Sequence, residues 1–167
     1  MTAPPSMYAS PMPSPETPER RPLDEGDPLE AALVEHGDLV DIIAAAAEDA
    51  GVEPELGLAL AWHESRFDPA AVSSAGAVGL LQVMPRTAQL MSSYLGEPLD
   101  PRDPADNARA GLVFLDKMID DHDGVARALI AYNQGPAALR AHGAYTGAER
   151  FSEHVRSSRD QLREVDW

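Results

Sequence analysis

From Pro28 onward the chain is cut into helix-length pieces by prolines placed to open a helix and glycines placed to stop one, and this punctuation constrains the fold most. Proline at a first helical position gives up only a donor that the helix would leave unpaired anyway. Pro54, Pro85 and Pro104 stand where such openings belong, the last behind the capping residue Asp103, and another helix is expected after Pro136. Gly51 and Gly124 close segments, while Gly37 divides the stretch from Leu29 to Ala50 into one interrupted helix or two. Between these marks apolar residues recur at three- and four-residue spacing, as in Leu56, Leu60, Ala61 and in Ala108, Leu112, Leu115, Ile119. The pattern predicts helices ending near Arg66, over Pro85–Leu95, from Asp103-Pro104 to Gly124, over Val125–Tyr132, after Pro136 and over Ala148–Val165. Alternating runs are scarce, so the chain reads as mainly α, with room for a small β-ribbon between Asp68 and Val78.

At 167 residues and 44% hydrophobic content, the chain has material for one core. Residues 29–167 are expected to form a single domain and residues 1–28 an arm. Eight of the 15 prolines lie between Met1 and Pro28. Each fixes φ and removes a donor, so this arm is expected to be extended or disordered, either a linker or a docking segment.

Charge narrows the partners. The formal net charge is -15, with acids crowded from Glu16 to Glu55, where Arg20 and Arg21 are the only Lys or Arg. Such a field repels phosphate backbones and anionic headgroups, so nucleic acid and membrane surfaces are not expected as partners. No apolar run reaches the roughly 18 residues of a spanning helix. Met1 is followed by proline and polar residues rather than a basic start and an apolar segment, so no signal peptide is expected. With no cysteines, thiolate chemistry is unavailable, and five histidines without a close ligand pair give no metal signature. No cofactor is expected.

Glu64 is the residue that suggests chemistry. Gly57, Leu60, Ala61 and Glu64 follow at i, i+3, i+4 and i+7, which aligns the carboxyl group with an apolar stripe. Desolvation there raises a carboxyl pKa and keeps the group protonated near neutrality, as a general acid requires. After Ser65 the chain turns at Asp68-Pro69. Gly76 and Gly79 then space a loop, and Gln82 supplies an amide of the kind that holds a sugar hydroxyl or N-acetyl group. Farther on, Tyr132 and Asn133 bring a phenol and an amide to a helix end, where Asn133 reads equally as a cap beside Gly135.

Taken in order, these residues resemble the soluble lytic transglycosylase family over roughly Asp38–Val155. The first motif stands as Glu64-Ser65 with Phe67-Asp68-Pro69, and the second as Gly79-Leu80-Leu81-Gln82 with Met84-Pro85 and Thr87-Ala88. The third is Ala131-Tyr132-Asn133, preceded by Asn107, Gly111 and Leu115. A weakened closing pattern follows in Glu149, Phe151 and Val155. Leu81 replaces a usual methionine, Gln134 a usual small residue and Phe151 a common tyrosine.

The resemblance implies a lysozyme-like α fold of the goose-type lysozyme and lytic transglycosylase kind, with peptidoglycan glycan strands as substrate. It implies that Glu64 protonates the oxygen between N-acetylmuramic acid and N-acetylglucosamine. The carboxylate then takes the proton from the muramyl C6 hydroxyl as a 1,6-anhydro ring closes. The resemblance also implies that the substrate's N-acetyl group takes the second role, and Asp68 before Pro69 reads as a turn residue. Ser65 and Tyr132 would orient Glu64 and the sugar, Gln82 and Asn133 would line the groove, and Met84 would pack on a sugar face. Two alternatives stand beside this: a hydrolytic goose-type muramidase, and a wall-docking component that binds glycan without turnover. Delivery from a phage virion is expected, with Met1–Pro28 docking on a neighbouring protein; a specialised secretion apparatus and host lysis at the end of a phage cycle stand as alternatives.

Overall fold

The computed structural model describes residues 20–167, and the expectation for the earlier part of the arm lies outside these residues. Eight helices follow: α1 (Pro28–Glu35), α2 (Gly37–Ala50), α3 (Pro54–Ser65), α4 (Pro85–Leu95), α5 (Pro104–Asp121), α6 (Val125–Gln134), α7 (Pro136–His142) and α8 (Thr146–Leu162). Asp27 caps α1 through its Oδ1, which accepts the Leu29 and Glu30 N–H groups at 2.9 and 3.1 Å. Asp103 does the same for α5, with the prolines at first-turn positions as expected. The stretch around Gly37 resolves into two helices rather than one. α6 runs two residues past Tyr132, and α8 both starts and ends earlier than the spacing suggested. Of the β-ribbon there are only isolated bridges, Val72 with Val78 and Val78 with Val83.

α3 is the central element, packed between α2 and α8, while α2 and α6 also pack on α5 and α8 respectively. Seven successive residues, Glu55 to Ala61, are buried. This corrects the idea that Glu64 continues one apolar stripe of a two-faced helix: over those residues α3 has no wet face at all. Ile43, Leu56, Leu58, Leu60, Leu112, Leu115, Leu129 and Leu162 fill the core around it. Glu64 emerges where this buried rod ends.

At the other end of α3 the described part of the arm is fastened down. Arg21 pairs with Val165, its N–H donating to Glu164 O and its carbonyl accepting from Asp166 N–H, both at 2.8 Å. Arg20 meets Glu55 at 2.5 Å. The Arg21 guanidinium grips the fully buried Glu30 with two bonds, at 2.5 and 2.9 Å. Asp24 N–H and Gln161 Nε2 complete the shell at 2.7 and 2.8 Å. These donors, the Arg21 guanidinium first, hold the Glu30 carboxyl down at about 2.

Replacing Glu30 by Ala strands Asp24 N–H and Gln161 and frees Arg21, at a cost of about 2 kcal/mol. The melting temperature at pH 7 should fall by roughly 4 to 8 °C. An unfolded glutamate titrates near 4.5 and the folded one near 2, so Glu30's contribution is intact above about pH 4.5 and fades as pH falls toward 2. Thermal melts of both proteins at pH 7 and pH 3 test this, and coincident curves at pH 7 would refute it.

Candidate active site

The end of α3 is sharply turned. Arg66 and Phe67 both take left-handed backbone, at φ 57° and 61°, which neither residue type favours. Burial of Phe67 against Trp62 and His36, each ring 6.0 Å away, offsets this strain, and the Arg66 guanidinium lies 4.2 Å over the Trp62 ring. Asp68 is exposed and its Oδ1 accepts the Ala70 N–H at 2.8 Å, so it shapes the turn.

The following loop is suspended from three helices by its carbonyl groups. Ser65, on α3, donates to Leu80 O at 2.8 Å, and Tyr132, on α6, donates to Leu81 O at 2.8 Å. Asn107, on α5 and wholly buried, donates to Val78 O at 2.8 Å and Pro101 O at 2.7 Å while its Oδ1 accepts Leu81 N–H at 2.9 Å. Two glycines make room. A side chain at Gly79, whose φ is +76°, would sit 2.4 Å from the Asn107 amide, and one at Gly111 would sit 2.7 Å from Leu81 and 3.0 Å from the Tyr132 hydroxyl.

Burial pushes the Glu64 carboxyl from its ordinary 4.5 up to about 7. Among the described residues it has no hydrogen-bond partner to favour the charged form. The Tyr132 phenol is pushed well above 10, first by burial and then by the charge on Glu64, so the two groups sense each other across the site. His63, one residue before, is held down to about 4 by burial, by Arg66 and by His154. It is neutral at pH 7 and is no competing acid.

The structure thus brings Glu64, Ser65, Gln82 and Tyr132 to one loop, though not all in the roles expected. Ser65 and Tyr132 spend their protons on the loop carbonyls. Gln82, at φ 46°, turns its Nε2 inward to Ala71 O and Gly79 O at 3.2 and 3.0 Å, which leaves Oε1 as the atom for a ligand. Met84 is exposed just before α4, and Asn133 is exposed inside α6, whose cap is Gly135. Gln134 ties α6 to the start of α8 by donating to Gly143 O at 2.9 Å and accepting Tyr145 N–H at 2.8 Å. Asn107 went unassigned in the sequence beyond its place in a helix. Its signal was a polar residue in register with the buried positions Gly111 and Leu115.

An all-helical body whose buried central helix ends in one glutamate beside a glycine-spaced loop defines the lysozyme-like lytic transglycosylase fold. Slt from Pseudomonas aeruginosa, in a form inactivated by one glutamate-to-glutamine change, superposes with a TM-score of 0.66 at 25% identity, over 76% of this chain and 25% of that one. The 70 kDa soluble lytic transglycosylase of Escherichia coli shares the fold at a TM-score of 0.56 and 24% identity, over 75% of this chain and 22% of that one. The chain belongs to the transglycosylase SLT domain family, whose model matches residues 41–155. Membrane-bound lytic murein transglycosylase C of Haemophilus influenzae is 36% identical over 112 residues, 59% of this chain and 31% of that protein. The transglycosylase of Enterobacteria phage PRD1 is 32% identical over 95 residues, 57% of this chain and 34% of that one. The chain spans about a third of the length of the curated relatives it matches. Among the described residues no helix is long and apolar enough to cross a membrane.

Proposed function

We propose that this domain cleaves the β-1,4 bond between N-acetylmuramic acid and N-acetylglucosamine in peptidoglycan without water, leaving 1,6-anhydromuramyl ends. The observation that carries this is Glu64: a carboxyl group desolvated enough to hold its proton to about pH 7, with Asp68 in a turn and, among the described residues, no second acid whose charge shifts it. Enzymes that hydrolyse glycosides place two carboxylates about the bond, the second serving as nucleophile or base. With one, Glu64 donates its proton to the departing oxygen as the C1–O bond breaks, and the substrate's N-acetyl group supports C1. The Glu64 carboxylate then takes the C6 hydroxyl proton as O6 bonds to C1. Atoms and protons balance, and the acid is regenerated.

In this reading Gln82 Oε1 and Asn133 hold the sugar's polar groups, and Met84 packs on a sugar face. Ser65 and Tyr132 act as positioning residues through the loop. The PRD1 relative supports delivery from a phage particle, with the Met1–Pro28 arm as its attachment. Detection of the protein in purified particles tests that, and its absence there overturns it.

Mass spectrometry of muropeptides released from purified peptidoglycan tests the reaction. Anhydromuramyl products are expected. Reducing ends would instead show a hydrolase, and no release by folded protein a glycan-binding component. The pH profile follows from the required acid form. kcat/KM should be level below about pH 7 and fall about tenfold per pH unit above it. A fall centred near 4.5 would remove Glu64 from the role of acid.

A further inference from the structure

α4 turns one face to the core and leaves the other uncovered. Ala88 and Met91 are buried where the helix packs on α5, while Arg86, Leu90 and Tyr94 follow one another at four-residue spacing along the outer face. Leu90 is 57% exposed and Tyr94 61%, and Met84, the residue before the helix, is exposed as well. These three are half of the large apolar side chains that the described residues leave to water. Arg86, Gln89, Leu90 and Ser93 line a pocket of 220 Å³ on this face. Lys117 lies 4.1 Å over the Tyr94 ring, and α4 itself carries no acid. On a chain of net charge -15, this is an apolar surface with a basic edge.

The chain also holds a segment of matching chemistry. Residues 1–15 carry no charged side chain, although 25% of the whole sequence is charged, and they include five prolines, three methionines and Tyr8. Proline-rich segments are recognised by aromatic-lined grooves, because their preset backbone has little entropy to lose on docking. Methionine adapts to uneven apolar surface.

Contacts within the fold bound the distance to be spanned. Arg20 meets Glu55 at 2.5 Å, α3 rises about 15 Å from Glu55 to Ser65, and Ser65 holds Leu80 O at 2.8 Å. From Leu80 to Pro85, where α4 begins, the chain covers at most about 18 Å. With the side chains included, this path from Arg20 is no longer than about 55 Å, and the straight line is shorter. Extended at about 3.1 Å per residue, the chain preceding Arg20 covers roughly 37 Å by Tyr8 and 59 Å by Met1.

We propose that residues 1–15 seat on the outer face of α4, with prolines and methionines against Leu90 and Tyr94, and that this contact restrains the domain until the arm is drawn away. The restraint rests on the peptidoglycan reading above: Met84, set on a sugar there, borders the seat, so arm and glycan compete for it. Attachment of the same arm to a particle would strip it from α4 and open the groove.

The chain has no cysteine, so Ser10→Cys accepts a single nitroxide label in the otherwise intact protein. Amide resonances of Arg86–Leu95 are expected to broaden more than those of α1 and α2, and to recover when Leu90→Asp and Tyr94→Ala are added. No broadening on α4, or broadening that survives both substitutions, overturns the seat. Nitroxide-bearing chain mixed with nitrogen-15 chain lacking the label should leave α4 sharp; broadening there would put a second copy on this face and overturn the proposal too. Digestion of peptidoglycan reads the restraint. A tether of this kind gives a local concentration on the order of 1 mM, so a contact of about 0.1 mM affinity is filled about ten to one. The unlabelled protein with Leu90→Asp and Tyr94→Ala is therefore expected to gain about tenfold in kcat/KM through KM, with kcat unchanged. An unchanged KM overturns the restraint. Should neither protein release product, the reaction reading fails, and the broadening alone decides whether the arm sits on α4.

Discussion

Glu64→Gln is expected to release no muropeptides, with a loss of at least about a thousandfold, while unfolding at a higher temperature than the wild type in alkaline buffer. The first half follows from removing the only proton the proposed reaction uses, since general acids contribute on the order of 10² to 10⁴ and here one group serves both steps. The second half follows from burial. In the unfolded chain this carboxyl group loses its proton near 4.5, and in the folded protein near 7. Between those values the folded state binds more protons, so wild-type stability declines as pH rises through that window and stays low above it. Glutamine carries no such charge and escapes the penalty. The advantage at pH 8 is about 2 to 3 kcal/mol, seen as a melting temperature higher by roughly 5 °C or more, and it should vanish near pH 4. Calorimetry of both proteins at the two pH values decides it. An inactive variant of unchanged stability at pH 8 would mean that Glu64 is not desolvated as the fold indicates.

The second large effect belongs to a residue that touches no sugar in the proposed mechanism. Asn107→Ala should cost about 3 to 5 kcal/mol and take most of the activity with it. Removing the side chain leaves Leu81 N–H, Val78 O and Pro101 O without their partner in a buried place, and each such group costs roughly 1 to 3 kcal/mol when stranded. Asn107→Asp separates hydrogen bonding from filling of space. It keeps the volume but sets an oxygen against the two carbonyls that the amide now serves, so it should be as damaging as alanine at neutral pH. Urea unfolding of the three proteins reads this directly. A loss below about 1 kcal/mol in either variant would show that the loop stands without its suspension.

What the sequence made legible was local. Proline and glycine punctuation placed the helices within a few residues, because capping and stopping are decided by neighbours in the chain. Glu64 was legible for the same reason, as a polar residue closing an apolar run. The suspension of the loop was not. Asn107 reaches carbonyls and amides 26 and 29 residues away, and Tyr132 reaches one 51 residues away, and no periodicity records such pairs. Gln82 shows the cost: its residue type suggested a ligand amide, but its left-handed backbone turns the nitrogen inward, and backbone handedness at a non-glycine residue leaves little trace in a sequence. α3 taught a related lesson, since a helix buried on every side defeats the search for its wet face.

The clasp at the far end of α3 has a mechanical consequence. Glu55, which holds Arg20, and Glu64 are nine residues apart on one helix, about 14 Å by its rise. Arg21 and Val165 are paired in parallel, so chain drawn away from Arg20 and chain drawn away from Trp167 would pull in opposite directions along that pairing. Tension between the two ends therefore loads the Arg21–Glu164 and Arg21–Asp166 bonds together in shear instead of peeling them one by one. A domain tethered at either end would bear the strain at this pole, and the loop at Glu64 would feel little of it.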